Sequence, residues 1–119
     1  MAKHNELGKE GEQMAVDFLI KNGYEIKERN WRFKKAEVDI IAQKNNTLVA
    51  VEVKTRSTDY FGNPQDFIKN KKINLLVNAT DAYVNKNNLN VEVRFDVIAI
   101  VKNGKNYEIE HLKDAFFYF

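Results

Sequence analysis

Asp39, Glu52 and Lys54 are the residues of this chain whose types and spacing suit chemistry at a phosphate. They lie on two runs of β-type residues, Glu37-Val-Asp39-Ile-Ile-Ala-Gln-Lys44 and Thr47-Leu-Val-Ala-Val-Glu52-Val-Lys54, joined by Asn45-Asn46. Asn tolerates the positive φ that a two-residue hairpin turn demands, so the pair predicts the turn. That turn sets the register. Val38, Ile40 and Ala42 then oppose Val53, Val51 and Val49 on a core face. On the reverse face Glu37 meets Lys54, Asp39 meets Glu52, Ile41 meets Ala50 and Gln43 meets Leu48, with opposed Cβ atoms roughly 4.5 to 5.5 Å apart. A three-residue loop would mix apolar with charged partners on both faces, which the apolar pattern disfavours.

Like charges directly opposite on a sheet destabilise it, at a cost comparable to the roughly 0.2 to 1 kcal/mol of a favourable pair, so the arrangement suggests a use other than stability. A divalent cation would remove the repulsion. Oxygen ligands suit hard cations, and magnesium keeps several waters and takes only one or two protein carboxylates, which leaves room for a substrate phosphate. Lys54 projects on the same side as Glu52, where an ammonium can hold a phosphate or a water. Taken alone, the hairpin is equally compatible with a surface ladder in which Glu37 pairs with Lys54 while Asp39 and Glu52 point into solvent.

The elements that must position these groups follow from length and pattern. With 119 residues, 44% hydrophobic and 30% charged, one Pro and five Gly, the chain is expected to form a single domain over 1–119 around one core. The absence of Cys removes disulfides and Cys-based zinc sites. Two isolated histidines, His4 and His111, argue against a His-rich metal site. There is no apolar leader and no stretch approaching the roughly 20 apolar residues of a membrane span, so a cytoplasmic protein without membrane contact is expected. A net charge of +2 permits phosphate binding but is no basic stripe, so any nucleic-acid surface must be local.

The first helix is predicted from about Glu6 to Lys21, with Leu7, Gly11, Ala15, Phe18 and Leu19 inward and Gly23 as its stop. Gly8 and Gly11 each cost roughly 1 kcal/mol of propensity, which makes sense if the backbone approaches something closely. Glu12 sits at the edge of the inward stripe, where spacing alone favours a solvated side chain. Between Tyr24 and Ala36 a strand leads into an exposed bend where Arg29, Trp31, Arg32, Phe33 and Lys34 interleave aromatic with basic residues. Such a segment suits backbone phosphates and an unpaired base, and it equally suits half-buried aromatics with a solvated fringe. A loop over 55–62 carries Arg56, and Asn63-Pro64 opens a long helix whose one side holds Phe67, Ile68, Lys71, Leu75, Ala79, Ala82 and Tyr83. Lys69, Lys71 and Lys72 in its first half are either solvated or in contact with phosphate. A central strand is expected over 91–101, in which Glu92, Arg94 and Asp96 form a cross-strand ion-pair ladder. A turn at Asn103-Gly104, a short strand near Tyr107 to Ile109, and a closing Ala115-Phe-Phe-Tyr-Phe119 that seals the core complete the reading.

Asp39 followed by Glu52-x-Lys54 on an adjoining strand resembles the PD-(D/E)xK nuclease signature. With Gly8-x-x-Gly11-Glu12-x-x-Ala15, Gly23-Tyr24, Arg29-Asn30, Glu37-Val-Asp39-Ile-Ile41, Val51-Glu-Val-Lys-Thr-Arg56, Phe61-Gly62, Lys71 and Arg94-Phe-Asp96, the chain resembles the YraN-like family of small bacterial proteins, which is similar to archaeal Holliday-junction resolvases. Ala36 stands where that family usually has Gly. The resemblance implies an α/β, restriction-endonuclease-like fold with a mixed central sheet flanked by helices. It also implies a Mg2+- or Mn2+-dependent endonuclease acting on DNA, and suggests branched DNA as substrate and a homodimer. In that reading Asp39 and Glu52 hold the metal with the Val53 carbonyl. Glu12 supports the metal or its water, Lys54 orients the nucleophile, and Arg29, Trp31, Arg32, Lys34, Arg56 and Lys71 contact nucleic acid. The alternatives are a non-catalytic nucleic-acid-binding or adaptor domain completed by a partner protein, and RNA as the substrate.

Overall fold

The computed structural model describes residues 2–57 and 70–115. Within them the chain runs α1 (Ala2–Lys21), β1 (Glu25–Phe33), β2 (Ala36–Lys44), β3 (Thr47–Ser57), α2 (Asn70–Lys86), β4 (Glu92–Asn103) and β5 (Asn106–Leu112). The five strands form one sheet in the order β1-β2-β3-β4-β5. Only β3 and β4 are parallel, with α2 on the connection between them; the other neighbours are antiparallel. This is the mixed, helix-flanked α/β sheet of the restriction-endonuclease-like class. The expected substrate loop beyond residue 57, the Asn63-Pro64 helix start, Phe67, Ile68 and Lys69, and the aromatic run from Phe116 lie outside the described residues.

Local chemistry explains the boundaries. Gly23, at φ 90°, closes α1: its N–H donates to the Ile20 carbonyl while the Tyr24 N–H reaches back to Leu19, the left-handed cap that glycine permits. Asn45, at φ 55°, takes the positive-φ position of the β2–β3 turn, and the pairs Lys44↔Thr47, Gln43↔Leu48, Ala42↔Val49, Ile41↔Ala50 and Ile40↔Val51 reproduce the predicted register. The last hairpin turns on Gly104-Lys105, one residue later than expected, because Asn103 and Asn106 pair with each other.

Helices cover both faces of the sheet. On one side Ala15, Val16, Leu19 and Tyr24 bury Ile40, Ala42, Val49, Val51, Ile98 and Ile100. On the other, Leu76, Ala79 and Tyr83 bury Ala36, Val38, Ile41, Leu48, Ala50 and Phe95. On the face opposite Ile40 and Ala42, α2 covers Ile41, Leu48 and Ala50 and leaves only the far end to charge. One expectation is corrected here. Val38 packs on the α2 side while Ile40 packs on the α1 side, so strand alternation breaks at Asp39. Abreast of Asp39, between the pairs Arg29↔Ile40 and Trp31↔Val38, lies Asn30 at φ 52°. Irregularities of this kind re-aim a side chain.

The expected ladder through Glu92, Arg94 and Asp96 is instead a buried network. Arg94 donates to both carboxylate oxygens of Asp96 at 2.9 Å and to the Tyr24 hydroxyl at 2.7 Å, while His111 Nε2 lies 2.7 Å from Asp96 and the Asp114 N–H donates to it. Burial would raise the Asp96 pKa, but these hydrogen bonds outweigh it and hold the carboxyl below its ordinary value. The network ties the end of α1 to β4 and β5, and leaves Glu92 at the surface.

The two helical glycines differ. A Cβ on Gly11 would lie 2.1 Å from Thr55 Oγ1 and 3.2 Å from Thr55 Cβ, whereas one on Gly8 would meet nothing within 4 Å. Close approach therefore explains Gly11 and not Gly8. It seats α1 directly against β3 and carries Glu12 to the strand. Gly8→Ala should be neutral or stabilising by up to about 1 kcal/mol through helix propensity. Gly11→Ala should destabilise by roughly 1 to 3 kcal/mol, since the overlap with Thr55 exceeds that gain. Chemical denaturation of the two variants checks the contrast, and equal behaviour would show that α1 does not sit this close to β3.

Candidate metal and phosphate site

The β2–β3 ladder ends at Ile40↔Val51, whereas β3 stays paired to β4 as far as Ser57. Past that point the two strands fork, and the Val53 N–H donates at 2.8 Å to Asp39 Oδ2 instead of to a β2 carbonyl. Asp39 and Glu52 thus lack the ladder pairing expected for them, though the Glu52 charge is felt at Asp39. A cavity of about 310 Å³ opens at the fork, lined by Leu7, Gly8 and Glu12 of α1, Asp39 of β2, and Glu52 through Arg56 of β3. All four residues expected to act on a substrate, Glu12, Asp39, Glu52 and Lys54, line it.

Glu52 is the electrostatic centre. Its side chain is 3% exposed, with Oε2 3.4 Å from Lys54 Nζ and 3.1 Å from Lys72 Nζ. Its other oxygen, Oε1, is buried with no hydrogen-bond partner. Burying a carboxylate oxygen without a partner costs free energy that a folded chain normally avoids. Asp39 feels the same shortage of positive charge: burial first, then Glu52 and more weakly Glu12, push its pKa from 3.8 to about 7, against the Val53 hydrogen bond that lowers it. Burial works against the charged form of Lys72, but Glu52, with Asp39 and Glu37 behind it, holds that ammonium above its ordinary pKa.

Among the basic and aromatic candidates, Arg56 lines the cavity, its guanidinium also donating to the Thr55 carbonyl at 2.9 Å. The others are placed elsewhere. Arg29 donates to Gln13 of α1 at 3.0 Å, and Arg32 pairs with Glu37 at 3.0 Å. Trp31 is half-buried, edge-on to Tyr83 and parallel to Phe33 at 6.2 Å, while the Lys34 ammonium lies 5.3 Å from the centroid of the Phe33 ring. Phe33 and Lys34 border a second cavity of about 300 Å³ with Ala36, Leu75 and Asn78. Lys71 is exposed; the lysine that reaches the site is its neighbour Lys72. The inward stripe of α2 is Leu76, Ala79, Thr80 and Tyr83, and Lys72 lies one turn before Leu76 on that stripe. A stripe drawn through Lys71, Leu75 and Ala82 misses it because Thr80, polar by type, is completely buried and bonds the Leu76 carbonyl at 2.7 Å.

The residues present fit a hard divalent cation. Glu52 Oε1 lacks a partner, Asp39 lines the same cavity and feels the Glu52 charge, and magnesium accepts two carboxylates with a backbone carbonyl and water, a carbonyl that Val53 at the same fork would supply. Among the described residues no group of three or more His, Cys, Asp or Glu side chains could hold an ion between them.

The raised Asp39 pKa has a definite consequence for stability. At pH values between about 4 and 7 the folded protein retains a proton that the unfolded chain has released, so in chelator the folded state loses stability as pH rises through that window. Asp39→Asn, whose amide oxygen still accepts from the Val53 N–H, should melt above the parent at about pH 8, with the difference closing near pH 4. Thermal melts across pH read this directly; a parent that matches or exceeds the variant at pH 8 would show that Asp39 ionises without penalty.

Comparison with known proteins places these positions in a family. Residues 11–100 match the model described as uncharacterised protein family UPF0102, a span that holds Glu12, Asp39, Glu52, Lys54 and Lys72. The chain is 62% identical over 119 residues to a UPF0102 protein of Christiangramia forsetii and 60% identical to one of Flavobacterium psychrophilum, covering all of each chain. It is 47% identical over 117 residues to a UPF0102 protein of Phocaeicola vulgatus, covering 98% of this chain and 97% of the relative. Likeness of that degree from end to end agrees with the glycine, acidic and lysine motifs, and the chain belongs to the UPF0102 family, the YraN-like family those motifs resemble.

Proposed function

We propose that this protein is a Mg2+- or Mn2+-dependent endonuclease that hydrolyses phosphodiester bonds in DNA. The observation that carries the reading is the carboxylate pair at the strand fork, one member with an unpartnered buried oxygen, beside Lys54 in one open cavity. Asp39, Glu52 and the Val53 carbonyl would hold the ion, which when bound supplies Lewis-acid polarisation of the phosphate. Lys54 lies on the wall of the same cavity, where its ammonium orients the attacking water and offsets negative charge developing on the phosphoryl oxygens. Glu12, brought in by the Gly11–Thr55 approach, orients water from the α1 side. Asp39 must shed its proton to serve as a ligand, so the apparent affinity for the ion should rise with pH up to about 7.

Arg56, which lines the cavity, would take a backbone phosphate. The Trp31, Phe33 and Lys34 shelf, with its adjoining cavity, suits an unpaired base, which favours substrates with single-stranded or branched character. Arg29, Arg32 and Lys71 would track the strand beyond it. The likeness of the motifs to junction resolvases adds a twofold-symmetric dimer as the working form. One observation favours a second reading, a nucleic-acid-binding module completed by a partner protein: the absence of a three-ligand group among the described residues.

Purified protein incubated with four-way-junction, flap, linear and single-stranded DNA, and parallel RNA forms, in Mg2+ or Mn2+ separates the two. The nuclease reading expects cleavage of at least one DNA form. Asp39→Asn should abolish cutting, and Lys54→Ala should slow it roughly 10²- to 10³-fold, with DNA binding retained in both. Binding without cleavage of any substrate would overturn it in favour of the module.

A further inference from the structure

Lys72 and Lys54 share one oxygen of Glu52 but are held there differently. Lys54 comes from the same strand, two residues on, with its side chain 23% exposed and its ammonium at 3.4 Å. Lys72 comes from another element at the shorter distance of 3.1 Å, and 44% of its side chain remains exposed. It is the closer cation and also the one whose stem reaches solvent.

A divalent ion engaging Glu52 and Asp39 must therefore contend with the Lys72 ammonium. Both cations seek the same carboxylate in a low-dielectric pocket, where like charges a few ångströms apart repel strongly. A flexible four-carbon stem rooted on α2 lets Lys72 withdraw without disturbing the sheet. Once withdrawn, it remains at the site as a strongly hydrated point charge with three donors, a form of cation suited to a phosphate.

We propose that Lys72 is a displaceable counter-cation: it competes with the divalent ion for Glu52 and, once displaced, binds a phosphate of the nucleic-acid substrate. The inference rests on the metal-dependent reading of the site and adds to it an ordering, in which metal entry releases a phosphate ligand. It makes Lys72 a substrate-binding and positioning residue supplied by α2, distinct from Lys54 on β3.

The test uses full-length protein and the variants Lys72→Met and Lys72→Arg, with two readouts that require no cleavage. Calorimetric titration with Mn2+ alone, without nucleic acid, should show Lys72→Met binding the ion about tenfold tighter than the parent, because the competitor is gone. In Ca2+, the same variant should bind a four-way DNA junction about tenfold more weakly. Lys72→Arg should stay near the parent in both, and melting curves establish that each variant is folded at the titration temperature. A merely structural lysine would weaken both kinds of binding together. Equal or weaker Mn2+ binding by Lys72→Met overturns the competition, and unchanged junction binding overturns the phosphate role. If Mn2+ binds neither parent nor variant, the metal reading falls and this inference with it. Tighter Mn2+ and weaker junction binding in a protein that cuts nothing would leave Lys72 as proposed and remove the nuclease reading alone.

Discussion

A carboxylate buried to 3% exposure with one oxygen unpartnered is the constraint around which this molecule is arranged. Glu52 sits on the central strand of a sheet covered on both faces, where hydrophobic burial is densest and an ionised group is least welcome. Its position is dictated by the strand: Ala50 and Leu48 on the same face are packed under α2, and Glu52 is the next residue of that row. What makes the burial tolerable is positive charge drawn from β3 itself and from α2. What makes it useful is that the compensation is incomplete, leaving Asp39 with an affinity for a proton near neutral pH and Glu52 Oε1 with none of the hydrogen bonds it can accept.

The fold supplies this arrangement through one irregularity. A strictly alternating β2 would send Asp39 to the face opposite Val38 and Ile40 together and keep it in register against Glu52. Instead the alternation breaks, Asn30 in the neighbouring strand adopts a left-handed backbone, and the Asp39 carboxylate takes up the Val53 N–H that the departing strand leaves behind. The fork so produced is the cavity. On its far side Gly11 lets α1 approach Thr55 closely enough to bring Glu12 to the wall, so one missing Cβ and one left-handed Asn set the shape of the site.

Much of this was legible in the residue order. Asn45-Asn46 defined the register of β2 against β3, Gly23 the end of α1, and the paired acids with Lys54 the residues that line one cavity, because each is a local rule that the neighbouring residues obey. What escaped depends on distant partners. Nothing near Asp39 announces a break in alternation whose counterpart is Asn30. The inward stripe of α2 turns on a buried Thr80 whose hydroxyl is satisfied by its own helix, so the stripe drawn from apolar spacing ran through Lys71, which the family resemblance also singled out, where packing brings Lys72 to Glu52. Arg94 and Asp96 read as a cross-strand ladder because their partners Tyr24 and His111 lie 70 and 15 residues away in sequence. Turns and caps were readable where they were local, and geometry was not where three elements had to meet.

The most direct measurement is anomalous diffraction from crystals of the protein equilibrated with Mn2+. The account predicts one strong peak at the fork between β2 and β3, roughly 2.0 to 2.3 Å from carboxylate oxygens of both Asp39 and Glu52, with the Lys72 ammonium moved off Glu52. A peak bound at other residues, or none at Mn2+ concentrations that saturate other hard-cation sites, would contradict it.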